Sequence, residues 1–323
     1  MKIALLLTPC SDHHLKLAAQ VGCEEIVGTY PGEQPGALKG LREKVEEHGL
    51  ALTTIERHIP HDLIVHGRAG QEKQLEAFKK LLIDMGREGV RTLCYNWMPE
   101  EDWQRTSITA GERGGALVTE FDLEKVQSPR TAASQQPTPP EALWKNLEAF
   151  LGELLPLAED QGINLAIHPD DPPLDQLHGQ DRILTHYEAF ERVLNLNTSP
   201  ANGICFCQGS FASRGENIAE GICRFGDRIK FVHFRDVVGK IPAFRETFHD
   251  NGKTDMAEAI RAYGEIGFTG PIRPDHVPTL DGETNDDPGY EMLGRLHAVG
   301  YLRGLMDGTA PPSVQKVLPD STP

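Results

Sequence analysis

Two histidines, a cysteine and an aspartate fall one after another at the ends of four consecutive apolar runs in the second half of the 323-residue chain. His168 closes Asn164-Leu165-Ala166-Ile167-His168, and Cys207 closes Gly203-Ile204-Cys205-Phe206-Cys207. His233 closes Phe231-Val232-His233, and Asp275 closes Pro271-Ile272-Arg273-Pro274-Asp275. Imidazole nitrogen, thiolate sulfur and carboxylate oxygen are donors for a divalent metal. The sulfur leans towards Zn2+, whereas the carboxylate and room for substrate oxygens admit Mn2+ or Fe2+. Side chains alternate along a strand, so residues two apart share a face. If the last member of each run faces inward, the four donors converge on one point.

The loops that follow these runs carry further polar groups. Asp170 and Asp171 follow His168, and either carboxylate could accept from the second nitrogen of a ligating imidazole. Asp170 is also placed with Arg105 and Arg235 among the residues expected to meet substrate. Arg105 sits in Trp103-Gln104-Arg105-Thr106, and its guanidinium fork matches a carboxylate; Arg235 follows His233 two residues on. His276 follows Asp275 directly and titrates near neutrality, which makes it a candidate acid or base.

Strand-like and helical stretches alternate along the whole chain, and they are what must position these residues. The strands read as Ile3–Leu7, Glu25–Thr29, Leu52–Glu56, Thr92–Tyr95 and the four runs above. Helices are expected over Ser11–Val21, capped by Ser11 and ended by Gly22, and over Leu38–His48, Gln71–Arg87 and Glu141–Asp160. Tyr187–Leu194, Ile218–Phe225, Met256–Ile266 and Tyr290–Met306 complete the set. Eight alternations predict an α/β fold, a (β/α)8 TIM barrel, whose catalytic groups gather at the C-terminal ends of its strands. No Gly-x-Gly-x-x-Gly follows the first strand, which weakens the doubly wound alternative. Residues 1–308 are expected to form one catalytic domain. Within it Ser128–Pro140 (SPRTAASQQPTPP) is expected to be a loop, and Thr309–Pro323 a disordered tail.

A formal charge of −16 argues against nucleic acid or an anionic membrane surface as a partner. The six cysteines lack the dense spacing of a secreted disulfide scaffold. The first apolar run is too short for a signal sequence, and no stretch is long enough to span a membrane. A cytoplasmic enzyme acting on a small molecule is expected, with a homo-oligomer left open.

Several stretches then resemble one family, the D-mannonate dehydratases of hexuronate catabolism. They are Cys94-Tyr95-Asn96-Trp97-Met98-Pro99 with Asp102-Trp103-Gln104-Arg105-Thr106, and Ile167-His168-Pro169-Asp170-Asp171-Pro172-Pro173. Phe206-Cys207-Gln208-Gly209-Ser210, His233-Phe234-Arg235, Arg273-Pro274-Asp275-His276 and Pro288-Gly289-Tyr290 follow in order. The resemblance implies a xylose-isomerase-like barrel using manganese or a similar ion. It implies His168, Cys207, His233 and Asp275 as ligands, with His276 and Tyr290 as the acid–base pair. The expected reaction removes water from D-mannonate, or a close aldonic acid, to give 2-keto-3-deoxy-D-gluconate.

Two other classes compete. A metal-dependent sugar isomerase or epimerase could occupy the same barrel, although such sites rest on paired Glu carboxylates, where this chain has a thiolate and one carboxylate. A sugar-acid binding protein would show ligand stabilisation without turnover.

Overall fold

The computed structural model describes residues 1–99, 103–127 and 137–309. Most of the expected loop (128–136) and the tail beyond residue 309 lie outside the described residues; Pro140 already opens a helix. The strands are β1 (Lys2–Leu6), β2 (Glu25–Thr29), β3 (Ala51–Glu56), β4 (Thr92–Tyr95), β5 (Ser107–Gly111), β6 (Leu117–Asp122) and β7 (Asn164–Ile167). They continue with β8 (Gln176–Leu177), β9 (Gln180–Asp181), β10 (Asn202–Cys207), β11 (Ile229–Phe234), β12 (Val237–Lys240), β13 (Ala243–Glu246) and β14 (Pro271–Pro274). Eight of them close a barrel in the order β1-β14-β11-β10-β7-β4-β3-β2. Every neighbouring pair in that ring is parallel.

The helices are α1 (Asp12–Gln20), α2 (Ala37–Glu46), α3 (Asp62–His66), α4 (Gln71–Glu88) and α5 (Pro140–Gln161). α6 (Tyr187–Leu196), α7 (Gln208–Arg214), α8 (Ile218–Phe225), α9 (Met256–Glu265) and α10 (Met292–Thr309) follow. Local chemistry sets their ends. Ser11 accepts from the His14 amide at the start of α1, and Gly22 takes the left-handed backbone just past its end. α5 turns Leu143, Leu147, Phe150, Leu151 and Leu154 into the core.

All six residues of β10 are buried, because a barrel strand is covered by helices on one face and by the interior on the other. The main core lies between strands and helices. A small second cluster fills the barrel interior, from Ala4, Leu6, Val27, Cys94, Ala166, Cys205, Phe231 and Tyr290.

Several elements had no expectation behind them. β5, β6, β12 and β13 form an antiparallel sheet in the order β12-β13-β6-β5, built from the excursions after β4 and β11. β5 is largely exposed, so it lacks the apolar run by which a buried strand is recognised. The segment 57–69, between two expected elements and with none expected in it, contains α3, five residues long. Among the described residues no helix is long and apolar enough to cross a membrane.

Candidate active site

The four strand-end donors meet at the C-terminal mouth of the barrel. His168 follows β7, Cys207 ends β10, His233 is the penultimate residue of β11 and Asp275 follows β14. The Nε2 atom of His168 lies 3.2 Å from Nδ1 of His233. The same Nδ1 is 3.6 Å from Oδ2 of Asp275, which in turn is 3.9 Å from Sγ of Cys207. One donor atom each from His168, Cys207 and His233 fits within 4.8 Å of the others. His168, His233 and Asp275 line a cleft, whereas Cys207 is not among its lining residues and is fully buried.

The outer partners of the two imidazoles determine what they offer each other. Nδ1 of His168 is 2.6 Å from the carbonyl oxygen of Pro169, so that nitrogen carries the hydrogen and donates. Nε2 of His233 lies 3.2 Å from a carboxylate oxygen of Glu56 and donates there. In their neutral forms the two facing nitrogens therefore both present lone pairs, 3.2 Å apart. A cation between them, whether a proton or a metal ion, removes their repulsion, and both imidazoles are shifted towards holding one.

Asp275 is oriented in the same sense. Its Oδ1 accepts from Arg273 at 2.8 Å and from the Tyr290 hydroxyl at 3.2 Å, which leaves Oδ2 facing His233 and Cys207. The Cys207 sulfur accepts from Ser210 Oγ at 3.2 Å and from Arg235 Nη1 at 3.5 Å.

Electrostatics reinforce the geometry. Burial pushes the Cys207 thiol up, but Arg235 and His168 override it and hold it well below the usual thiol range. Burial also opposes ionisation of Asp275, and Arg273 followed by His276 and His233 holds it well below the usual carboxylate range. Burial alone would lower His168, yet the Cys207 thiolate pushes it up to about 8. The site thus holds its anionic donors ionised and attracts positive charge. Two imidazoles, a thiolate and a carboxylate oxygen form a donor set that fits a borderline divalent ion.

Behind the donors lies a buried ion-pair network. Arg105 grips Asp171 with both terminal nitrogens at 2.8 and 3.0 Å and reaches Glu246 at 2.7 Å. Arg235 binds Glu246 at 2.8 and 2.6 Å and Asp171 at 2.9 Å. Arg273 binds Glu56 at 2.9 and 2.6 Å. The guanidinium groups of Arg105 and Arg235 are buried on these carboxylates, so either could reach a substrate only by releasing one. The adjacent acids also divide. Asp171 lines the cleft, whereas Asp170 is buried behind its wall and accepts from the Leu184 amide at 2.8 Å.

Glu56, Arg273 and Glu246 were not singled out from the sequence as site residues. Glu56 ends β3, and the strand-end logic applied to the second half of the chain would have found it. Glu246 sits on the unexpected sheet and left no such signal.

His276 and Tyr290 stand together above the donors. The His276 Nε2 atom lies 3.4 Å from the Tyr290 hydroxyl, and Trp103 packs edge-on against the imidazole with ring centres 4.8 Å apart. Burial, aided by Arg235 and Arg105, depresses His276 well below its ordinary value despite Asp275 and Asp171. Burial raises Tyr290, and the Asp275 carboxylate adds to the rise. The imidazole is therefore a neutral acceptor beside a neutral phenol. His276 adopts a left-handed backbone, and Gly289 packs so closely that a methyl group there would come within 3.1 Å of Nδ1.

A closed parallel barrel with ligand-type donors and a His–Tyr pair gathered at its C-terminal mouth defines the class, a (β/α)8 TIM barrel with the site where barrel enzymes carry theirs. Comparison with solved structures agrees on the fold. A xylose isomerase domain protein from Planctomyces limnophilus superposes with a TM-score of 0.61 at 14% identity, over 95% of this chain and 98% of its own. The crystal structure of mannonate dehydratase from Streptococcus suis serotype 2 superposes with a TM-score of 0.89 at 30% identity, covering 96% of this chain and 95% of that one. The sequence profile described as D-mannonate dehydratase (UxuA) matches residues 14–137 and 133–314. Mannonate dehydratase from Oceanobacillus iheyensis is 34% identical over 297 residues, covering 84% of each chain. Mannonate dehydratase 2 from Halalkalibacterium halodurans is 34% identical over 311 residues, covering 88% of this chain and 89% of its own. The chain belongs to the D-mannonate dehydratase family.

Proposed function

We propose that this chain is a metal-dependent hydro-lyase that converts D-mannonate to 2-keto-3-deoxy-D-gluconate, with residues 1–308 acting as one catalytic unit in the cytoplasm. The observation that carries the reading is the convergence of His168 Nε2 and His233 Nδ1, 3.2 Å apart, with a carboxylate oxygen of Asp275 and the Cys207 sulfur beside them. His168 Nε2, His233 Nδ1, Cys207 Sγ and Asp275 Oδ2 would hold the ion, Mn2+ being the one that the family resemblance implies and Fe2+ or Zn2+ the alternatives that the same donors admit. When bound, the ion supplies Lewis-acid polarisation at the carboxylate end of the substrate, where the proton on C2 is otherwise too weakly acidic to remove.

The remaining work falls to the chain itself. His276, neutral and 3.4 Å from Tyr290, takes the C2 proton. Tyr290, whose hydroxyl Asp275 orients at 3.2 Å, gives a proton to the departing C3 hydroxyl, which leaves as water. The resulting enol becomes the 2-keto acid. Trp103 walls off the imidazole from solvent. Arg105 and Arg235 hold Asp171 and Glu246 in place, and Asp171 lines the wall against which the polar chain of the substrate lies. Asp170 anchors the loop that presents Asp171.

The test is a metal assay joined to product detection with D-mannonate and its epimers. A bound divalent ion and a 2-keto-3-deoxy acid from D-mannonate are expected. A loaded protein that interconverts ketoses and releases no keto acid from any hexonate would sink the proposal in favour of an isomerase. Stabilisation by hexonates without turnover would instead identify a binding protein.

A further inference from the structure

A second group of metal-type donors sits inside the barrel below the site just described. Cys94 on β4, Cys205 on β10 and His233 on β11 bring one donor atom each within 4.8 Å of one another. All three are buried, at 4%, 0% and 3% exposure. The sequence makes the approach possible: β7 separates β4 from β10, and the residue in register with Cys94 on that strand is Ala166. The two thiols meet across that strand, among the apolar side chains of the inner cluster.

The spacing discriminates between two kinds of thiol chemistry. A disulfide needs Cα atoms within about 7 Å. Strands two places apart in a sheet are separated by roughly 9 Å of backbone, so these cysteines are poorly placed to bond directly. A tetrahedral ion with metal–sulfur bonds of about 2.3 Å holds its sulfurs just under about 4 Å apart, which the observed clustering allows. Two thiolates around a divalent ion also leave no net charge in an apolar interior. Cys94 lines the catalytic cleft and gives an ion its way in.

We propose that Cys94, Cys205 and His233 form a second, softer metal site that takes a thiophilic divalent ion of the Zn2+ or Cd2+ class. Binding is ligation without redox change: two sulfur–metal bonds form and two thiol protons leave to solvent. Because His233 belongs to both groups, a soft ion here draws on the imidazole that the upper donors require. The site stands independently of the sugar-acid reading, since cadmium binding is measured without turnover.

The experiment titrates Cd2+ into a Cys207→Ala protein, in which the thiolate of the upper group is gone. Thiolate-to-cadmium charge-transfer absorption saturating at one equivalent is expected. Adding Cys94→Ala or Cys205→Ala should weaken that binding by more than the roughly 10–100-fold that loss of an outer partner of a metal site costs. Should either double variant fold poorly, X-ray absorption at the cadmium edge of Cys207→Ala alone counts the sulfur neighbours, and two are expected. Absence of the band from Cys207→Ala, a band that survives both further substitutions, or fewer than two sulfurs at the edge would overturn the proposal.

Discussion

Replacing Glu56 by Gln tests the link between the ion-pair network and the donor set most directly. Glu56 accepts from Arg273 at 2.9 and 2.6 Å and from His233 Nε2 at 3.2 Å, and it is 3% exposed. A glutamine keeps one acceptor oxygen and turns an NH2 group towards the other donors, so one or two of these three hydrogen bonds are lost, depending on which way the amide is turned. Hydrogen bonds to charged groups contribute roughly 1.5–3 kcal/mol each, which gives about 1.5–6 kcal/mol. That range overlaps the roughly 3–5 kcal/mol for breaking a buried ion pair by removing one partner. Losing the charged acceptor also loosens the His233 tautomer that aims Nδ1 at His168, so metal affinity should fall about 10–100-fold. Arg273, left with Asp275 as its carboxylate partner, would compete further for that ligand. Equilibrium dialysis against Mn2+ and denaturant unfolding with and without metal measure the two effects separately. An E56Q protein that binds Mn2+ within twofold of the parent and unfolds at the same denaturant midpoint would refute the reasoning.

Three further outcomes follow from the same geometry. His276→Asn should lower kcat by about 10²–10⁴-fold while metal content stays unchanged, and Tyr290→Phe should retain exchange of the C2 proton with solvent deuterium that His276→Asn loses; equal exchange in both would reverse or erase the assigned roles. Gly289→Ala places a methyl group 3.1 Å from Nδ1 of His276 on a backbone with φ of +86°; kcat should drop at least about tenfold with metal binding intact, and an unaltered kcat would show that the imidazole position is not critical. The third concerns Asp171, held well below its ordinary value because Arg105 and then Arg235 outweigh its burial. A depressed native value means that its stabilisation is complete above the unfolded value near pH 4 and is lost as the pH falls below it. The unfolding midpoint should therefore decline from about pH 5 downwards, more steeply in the parent than in Asp171→Asn, and matching slopes would argue against the pair.

Much of the site was legible because its chemistry is carried by residue type and by position on a strand. His168, Cys207, His233 and Asp275 each close a short apolar run, and a run buried on both faces is visible without coordinates. The eight barrel strands were expected to within a residue or two, as were the helices capped by Ser11 or ended by a left-handed glycine. Glu246 was beyond reach, because β13 is short and half-polar and its partner β6 lies about 120 residues earlier. α3 and α7 escaped for a related reason: a single turn or two leaves too little periodicity to detect.

The chain's local pattern determined a closed parallel barrel and the set of side chains carried at its mouth, since burial on both strand faces and residue chemistry are properties of short segments. Only the tertiary structure decided how those side chains face one another. Whether Arg105 and Arg235 point at a substrate or at Asp171 and Glu246 depends on carboxylates delivered by distant segments. Which nitrogen of His233 is left bare depends on Glu56, which lies 177 residues away in the chain. Such contacts are made by closing the ring, and no local stretch of residues encodes them.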